Sequence, residues 1–121
     1  MAQQRRLQFL ETTTECPVSV ENAHALLIRA LEDGSAHITE HFKLRTTERN
    51  FTTVDAERII RTGKIVGEPE YCPQFENWCF AVRGKCESRT LEIRVGLDFN
   101  MDLESPVMAL ITGFFTQRTK I

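Results

Sequence analysis

The spacing of apolar positions along this chain changes once, near residue 63, and the change divides a helical half from a strand half. Before it, Ala23, Leu26, Leu27, Ala30 and Leu31 recur at steps of three and four, which lines one face of a helix. Ser19 stands where an N-cap hydroxyl is needed, and Asp33-Gly34 ends the element. His24 falls inside this helix and reads as a packing or surface residue. A second helix is predicted after Thr39, which can cap it, and runs through His41 to Arg49. Its apolar content is only Phe42 and Leu44, so it should rest on the domain's flank with a polar face in water. The third helix is the best marked. Thr52 and Asp55 form a capping-box pattern, Phe51 and Ala56 can make the hydrophobic staple, and Ala56, Ile59 and Ile60 supply the buried stripe. Gly63 is placed as its C-cap glycine.

After Gly63 the period becomes two. Over residues 77–83, Trp78, Phe80 and Val82 alternate with Cys79, Ala81 and Arg83; over 91–99, Leu91, Ile93, Val95, Leu97 and Phe99 alternate with Glu92, Arg94, Gly96 and Asp98. These are two half-buried strands. The polar, glycine-containing stretch 84–88 between them makes an antiparallel hairpin the simplest connection. Val107–Phe115 is more continuously apolar and suits a strand inside the sheet. Helices first and an antiparallel meander after them predict an α+β fold, with N-terminal helices packed on one face of a three- to four-stranded antiparallel sheet.

At 121 residues and 41% hydrophobic, the chain suits one domain with a single core. Residues 1–18 read as a tail or a short edge strand. Their start lacks the apolar stretch of a signal peptide, and Val107–Phe115 is too short to cross a bilayer, so the expectation is a cytoplasmic protein with no membrane partner. The four cysteines, Cys16, Cys72, Cys79 and Cys86, are expected to be reduced. The seven-residue repeat of the last three does not match the close pairing of zinc ligands, so no metal or other cofactor is expected.

The net charge is -2, which argues against a strong nonspecific nucleic-acid binder. Its distribution is less even than the sum suggests. Residues 41–64 carry six cations against three acids, residues 65–80 carry three acids and no cation, and residues 81–94 carry four cations against two acids. Two basic segments therefore bracket an acidic connection.

Within the first basic segment, His41, Arg45 and Arg49 fall four residues apart. On a helix they span about 80° and roughly 12 Å of one stripe, long enough to follow a polyanion. One titratable imidazole beside two permanent cations also suits acid/base chemistry on a phosphodiester. This stripe, the break at Asn50-Phe51-Thr52, the ending Arg61-Thr-Gly63-Lys64-Ile65 and the later hairpin together resemble the 4258 family of domains of unknown function, itself similar to the RelE/ParE-type toxins. The resemblance covers roughly residues 37–115. It implies paired helices on an antiparallel sheet, a cytoplasmic toxin-like role, and RNA, the ribosome or a cognate antitoxin as partners.

Two functions follow as expectations. In the first, the chain binds or cleaves RNA without a metal: His41 moves a proton, Glu92 is the second proton-transfer group, and Arg45, Arg49, Arg83 and Arg94 hold phosphate. Such cleavage requires a base for the 2′-hydroxyl, an acid for the leaving oxygen and fixed cations for the phosphorane. In the second, the chain is a noncatalytic protein-interaction or regulatory module in which His41 packs at a helix start and the arginines pair with nearby acids such as Glu48.

Overall fold

The computed structural model describes residues 16, 18–73, 77–98 and 107–116. Its elements follow in the order α1 (Val20–Glu32), β1 (Ala36–Ile38), α2 (Glu40–Arg49), α3 (Thr53–Thr62), β2 (Lys64–Cys72), β3 (Asn77–Cys86), β4 (Arg89–Asp98) and β5 (Val107–Phe115). The class is α+β, as the change of period predicts. The residues 1–15 read as a tail or edge strand, together with Phe99 and residues 117–121, lie outside the described residues.

The sheet has the order β1-β5-β4-β3-β2. β2 through β5 pair antiparallel, while β1 pairs parallel with β5. The sheet is thus five-stranded and mixed, which corrects the expectation of three or four antiparallel strands. Each of the two added strands is hidden in the sequence for its own reason. β1 has three residues, too few to show a period. β2 contains Gly67 and Pro69 and shifts register between Val66 and Glu70, so its alternation is broken. The segment 65–80 is therefore mostly strand, and Tyr71 on β2 meets Trp78 on β3 with ring centroids 5.3 Å apart and the rings tilted by 59°. The β3–β4 hairpin turns on Glu87 and Ser88 alone, with Glu87 at φ 60°, which is tighter than the predicted loop of 84–88.

Helix starts follow their signals. The hydroxyls of Ser19, Thr39 and Thr52 accept from the backbone N–H groups of Asn22, Phe42 and Asp55, and Asp55 completes a capping box by accepting from the Thr52 N–H. The apolar faces meet over the sheet. Ala23, Leu27 and Ala30 of α1, Phe42 of α2 and Ala56, Ile59 and Ile60 of α3 join Trp78, Phe80, Val82, Leu91, Ile93, Val95, Leu97, Met108 and Leu110 in one buried cluster. Phe51 bridges the helices and the sheet edge-on between Phe42 and Phe115, at 5.8 and 6.3 Å. His24 belongs to this frame: its Nε2 lies 2.6 Å from the Ile60 carbonyl oxygen and satisfies one of the last carbonyls of α3, which have no partner within the helix.

Gly63 ends α3 as expected, but not through a left-handed conformation, for its φ is −84°. The requirement is space. A β-carbon there would collide with the Arg83 backbone carbonyl and lie 2.6 Å from the Ile59 carbonyl oxygen. Only a bare α-carbon lets the helix end run straight into β2 while lying on β3. Replacing Gly63 with Ala is expected to lower the unfolding free energy by about 1–3 kcal/mol, the usual cost of forced overpacking. Urea unfolding monitored through Trp78 measures it, and a loss under about 0.5 kcal/mol, the size of an ordinary surface change, would show that the strand gives way freely.

Candidate functional site

The predicted site residues divide between two places. His41, Arg45 and Arg49 do share α2. That helix runs along the side of β5 that β1 leaves unpaired. β1 stops at Ile38, opposite Leu110. Beyond it, the Thr39 hydroxyl donates to the Leu110 carbonyl at 2.8 Å, and Arg49 Nη1 donates to the Gly113 carbonyl at 2.9 Å. Arg49 is therefore half-buried and occupied with backbone that would otherwise lack a partner. Arg45 is bonded to Glu48 at 2.5 Å. His41 is exposed and makes no side-chain hydrogen bond to any described residue.

Arg83, Glu92 and Arg94 lie on the sheet. Val82 and Ile93 point into the core beneath the helices, so alternation sends their neighbours to the opposite, outer face. Among the described residues no helix packs there. Arg83 and Glu92 are direct cross-strand partners, and Arg94 follows two positions along β4 on the same face. Arg83 Nε donates to Glu92 Oε1 at 2.6 Å and Arg94 Nε to Oε2 at 2.7 Å. The Glu92 side chain is 2% exposed and each arginine 49% exposed, so the carboxylate sits under two guanidinium groups that remain open to water. The Arg94 guanidinium also lies over the Phe114 ring, 5.4 Å from its centroid. The Nη groups of both arginines have no partner among the described residues.

Burial alone would raise the Glu92 pKa. The hydrogen bonds from Arg83 and Arg94, and then their charge, outweigh it and hold the carboxyl below its ordinary value. A carboxyl so held is a poor proton carrier near neutral pH. The structure therefore brings Arg83, Glu92 and Arg94 together, and separately aligns His41, Arg45 and Arg49, without bringing His41 to Glu92.

The outer face carries more than the sequence reading found. Pairing Lys64 with Arg83 and Lys85 with Thr90 adds two lysines to the end of the sheet near the β3–β4 turn. Glu70, paired with Cys79, and Asp98, paired with Val107, occupy the other end. The face is basic at one end and acidic at the other. In the acidic half Cys79, Gly96 and Ala109 stand side by side, and the side chains of Asn77 and Ile111 lie over Gly96. No sequence signal marks Lys64 or Glu70 as part of a site, because β2 itself is not legible.

The four cysteines are unpaired with one another. Burial raises the thiol pKa of Cys16, Cys79 and Cys86, and for Cys79 the neighbouring Cys72 and Glu70 add to the rise, which is the reverse of an activated nucleophile. Among the described residues no group of three or more His, Cys, Asp or Glu side chains could hold a metal ion, and no helix is long and apolar enough to cross a membrane. No family model matches the chain, and neither does any curated protein or solved structure.

Because the folded pKa of Glu92 lies below the unfolded one, its stabilisation is fully present above the ordinary Glu value of about 4.3 and is lost as the pH falls through the folded value. Glu92→Gln is expected to cost about 1–3 kcal/mol at neutral pH, since charged hydrogen bonds are lost while the arginines keep access to water. Denaturant unfolding at pH 7 and at about pH 3 measures the gap between the two proteins, which should narrow in acid. An equal gap at both would show that Glu92 packs there without acting through its charge.

Proposed function

We propose that this protein is a noncatalytic interaction module whose working surface is the outer face of the sheet. The observation that carries the reading is the fate of Glu92, the intended partner of His41 in proton transfer. It is sealed under Arg83 and Arg94 as a carboxylate, on the face opposite the helices, while His41 stands exposed on α2. Metal-free phosphodiester cleavage needs a base, an acid and fixed cations around one phosphate. Here the imidazole shares α2 with arginines that Glu48 and the Gly113 carbonyl engage, while the guanidinium groups open to water lie on the opposite face of the sheet. A module that binds instead of reacting needs only a shaped, chemically distinctive surface, and the polarised sheet face is that surface. The resemblance to toxin-like domains supports a cytoplasmic setting and a protein partner of the antitoxin kind.

A second reading, RNA binding without cleavage, is favoured by the open Nη groups of Arg83 and Arg94 beside Lys64 and Lys85. A single-stranded RNA would lay its phosphates along the basic end of the face. Arg45 and Arg49 would contribute little, since Glu48 and the Gly113 carbonyl engage them.

Induced expression of wild type and His41→Ala, followed by RNA analysis, tests the main reading: neither protein is expected to cleave RNA or to differ in its effect on growth. Cleavage that depends on His41 would overturn it. For the second reading, fluorescence anisotropy with single-stranded RNA across a salt series is decisive. Combined Lys64→Ala and Lys85→Ala substitution should reduce the magnitude of the salt slope by about 1.4, roughly 0.7 for each lost phosphate contact. An affinity independent of salt would rule RNA out.

A further inference from the structure

We infer that the partner of the outer face is a second copy of this chain, packed sheet against sheet about a two-fold axis that crosses the strands. The inference rests on the interaction-module reading and names its partner.

Its basis is the match between the two halves of the face. The row nearer the β3–β4 turn is made of Lys64, Arg83, Glu92 and Phe114, which are direct neighbours across four strands. Two positions further along comes the row Val66, Ala81, Arg94 and Thr112, and beyond it the row Glu70, Cys79, Gly96 and Ala109. A two-fold axis lying along the middle row turns one copy over and reverses its strands, while each strand stays opposite its own counterpart. The first row of one copy then covers the third row of the other. Lys64 meets Glu70, Arg83 covers Cys79, and Phe114 covers Ala109. The one lysine of β2 thus faces one of its two glutamates, and the ring of Phe114 faces a methyl group. Arg94 stands in the axial row opposite its own counterpart, and the bond of its Nε to Glu92 draws the like charges off the axis toward the first row of each copy. Each contact occurs twice, as an isologous interface requires.

The size of the surface is sufficient. Four strands spaced about 4.8 Å apart, with about 25 Å of common length, form a plate of roughly 500 Å². Two such plates remove about 1,000 Å² from water, the lower bound for a specific interface. The association should be reversible and salt-sensitive, because its register is set by exposed charges.

Lys64 and Glu70 lie about 13 Å apart within one copy, judged from the four residue steps along β3 that separate their partners Arg83 and Cys79. That exceeds the Debye length of about 8 Å at physiological salt, so coupling between them reports contact across the interface. Sedimentation equilibrium of the full chain, from about 1 to 200 μM at low and physiological salt, is the test. Wild type is expected to dimerise. Lys64→Glu and Glu70→Lys should each weaken dimerisation at least tenfold, and the two together should restore it, because the exchanged charges again meet. Circular dichroism checks that every variant folds. A wild type monomeric throughout, a dimer indifferent to either reversal, or single losses without rescue would overturn the inference. RNA binding by a monomer through Lys64 and Lys85 would do the same in favour of RNA. The oligomerisation outcomes leave the interaction-module reading untouched, for it fails on His41-dependent cleavage.

Discussion

The close seating of α3 on β3 governs this molecule, because it fixes which side of the sheet is covered. The helix ends at Thr62 and β2 begins at Lys64, so the single residue Gly63 must turn the chain while lying against the Arg83 carbonyl. Gly84 contributes from the strand side, where a β-carbon would come within 3.0 Å of Ile59 Cδ1. With both glycines in place, Ile59 and Ile60 reach the sheet and α1 can lay Ala23, Leu27 and Ala30 on the same core. The helical cover of the described residues is thereby committed to one face. What the other face does becomes the functional question.

That outer face solves a problem of its own. Glu92 lies in the middle of a sheet, where an unpaired carboxylate would be expensive to bury. Two arginines, one across the hairpin and one along the strand, meet its two oxygens. The arrangement also fixes the arginines themselves, since a guanidinium anchored through Nε has less freedom left to lose when its Nη groups meet a partner. A group suggested by sequence as a proton carrier is thus better understood as an anchor for the cations around it.

The helix bearing His41, Arg45 and Arg49 has a structural task that its composition conceals. β1 is too short to cover β5, and the unpaired carbonyls of β5 would otherwise face a flank with no strand beside it among the described residues. Thr39 and Arg49 supply the missing donors. Helix α2 therefore acts as a side-chain substitute for the rest of an edge strand, which explains why a helix with so little apolar content is held where it is.

Much of this was legible in the sequence. The caps at Ser19, Thr39 and Thr52, the stripe of Ala56, Ile59 and Ile60, and the alternation of β3 and β4 are local patterns, and local periodicity reports which face of an element is buried. The outward side of Arg83, Glu92 and Arg94 follows from the same alternation, and the common face of His41, Arg45 and Arg49 from the helical repeat. What the sequence could not contain is distance between elements. β1 was too short and β2 too interrupted to be read, and without β2 neither Lys64 nor Glu70 had a place. The clamping of Glu92 depended on the register Arg83–Glu92, and the engagement of Arg49 depended on where β1 stops. Periodicity along the chain therefore determined which residues face inward and which outward; only the tertiary structure decided which outward residues meet, because register and edge pairing arise from contacts between segments far apart in the chain.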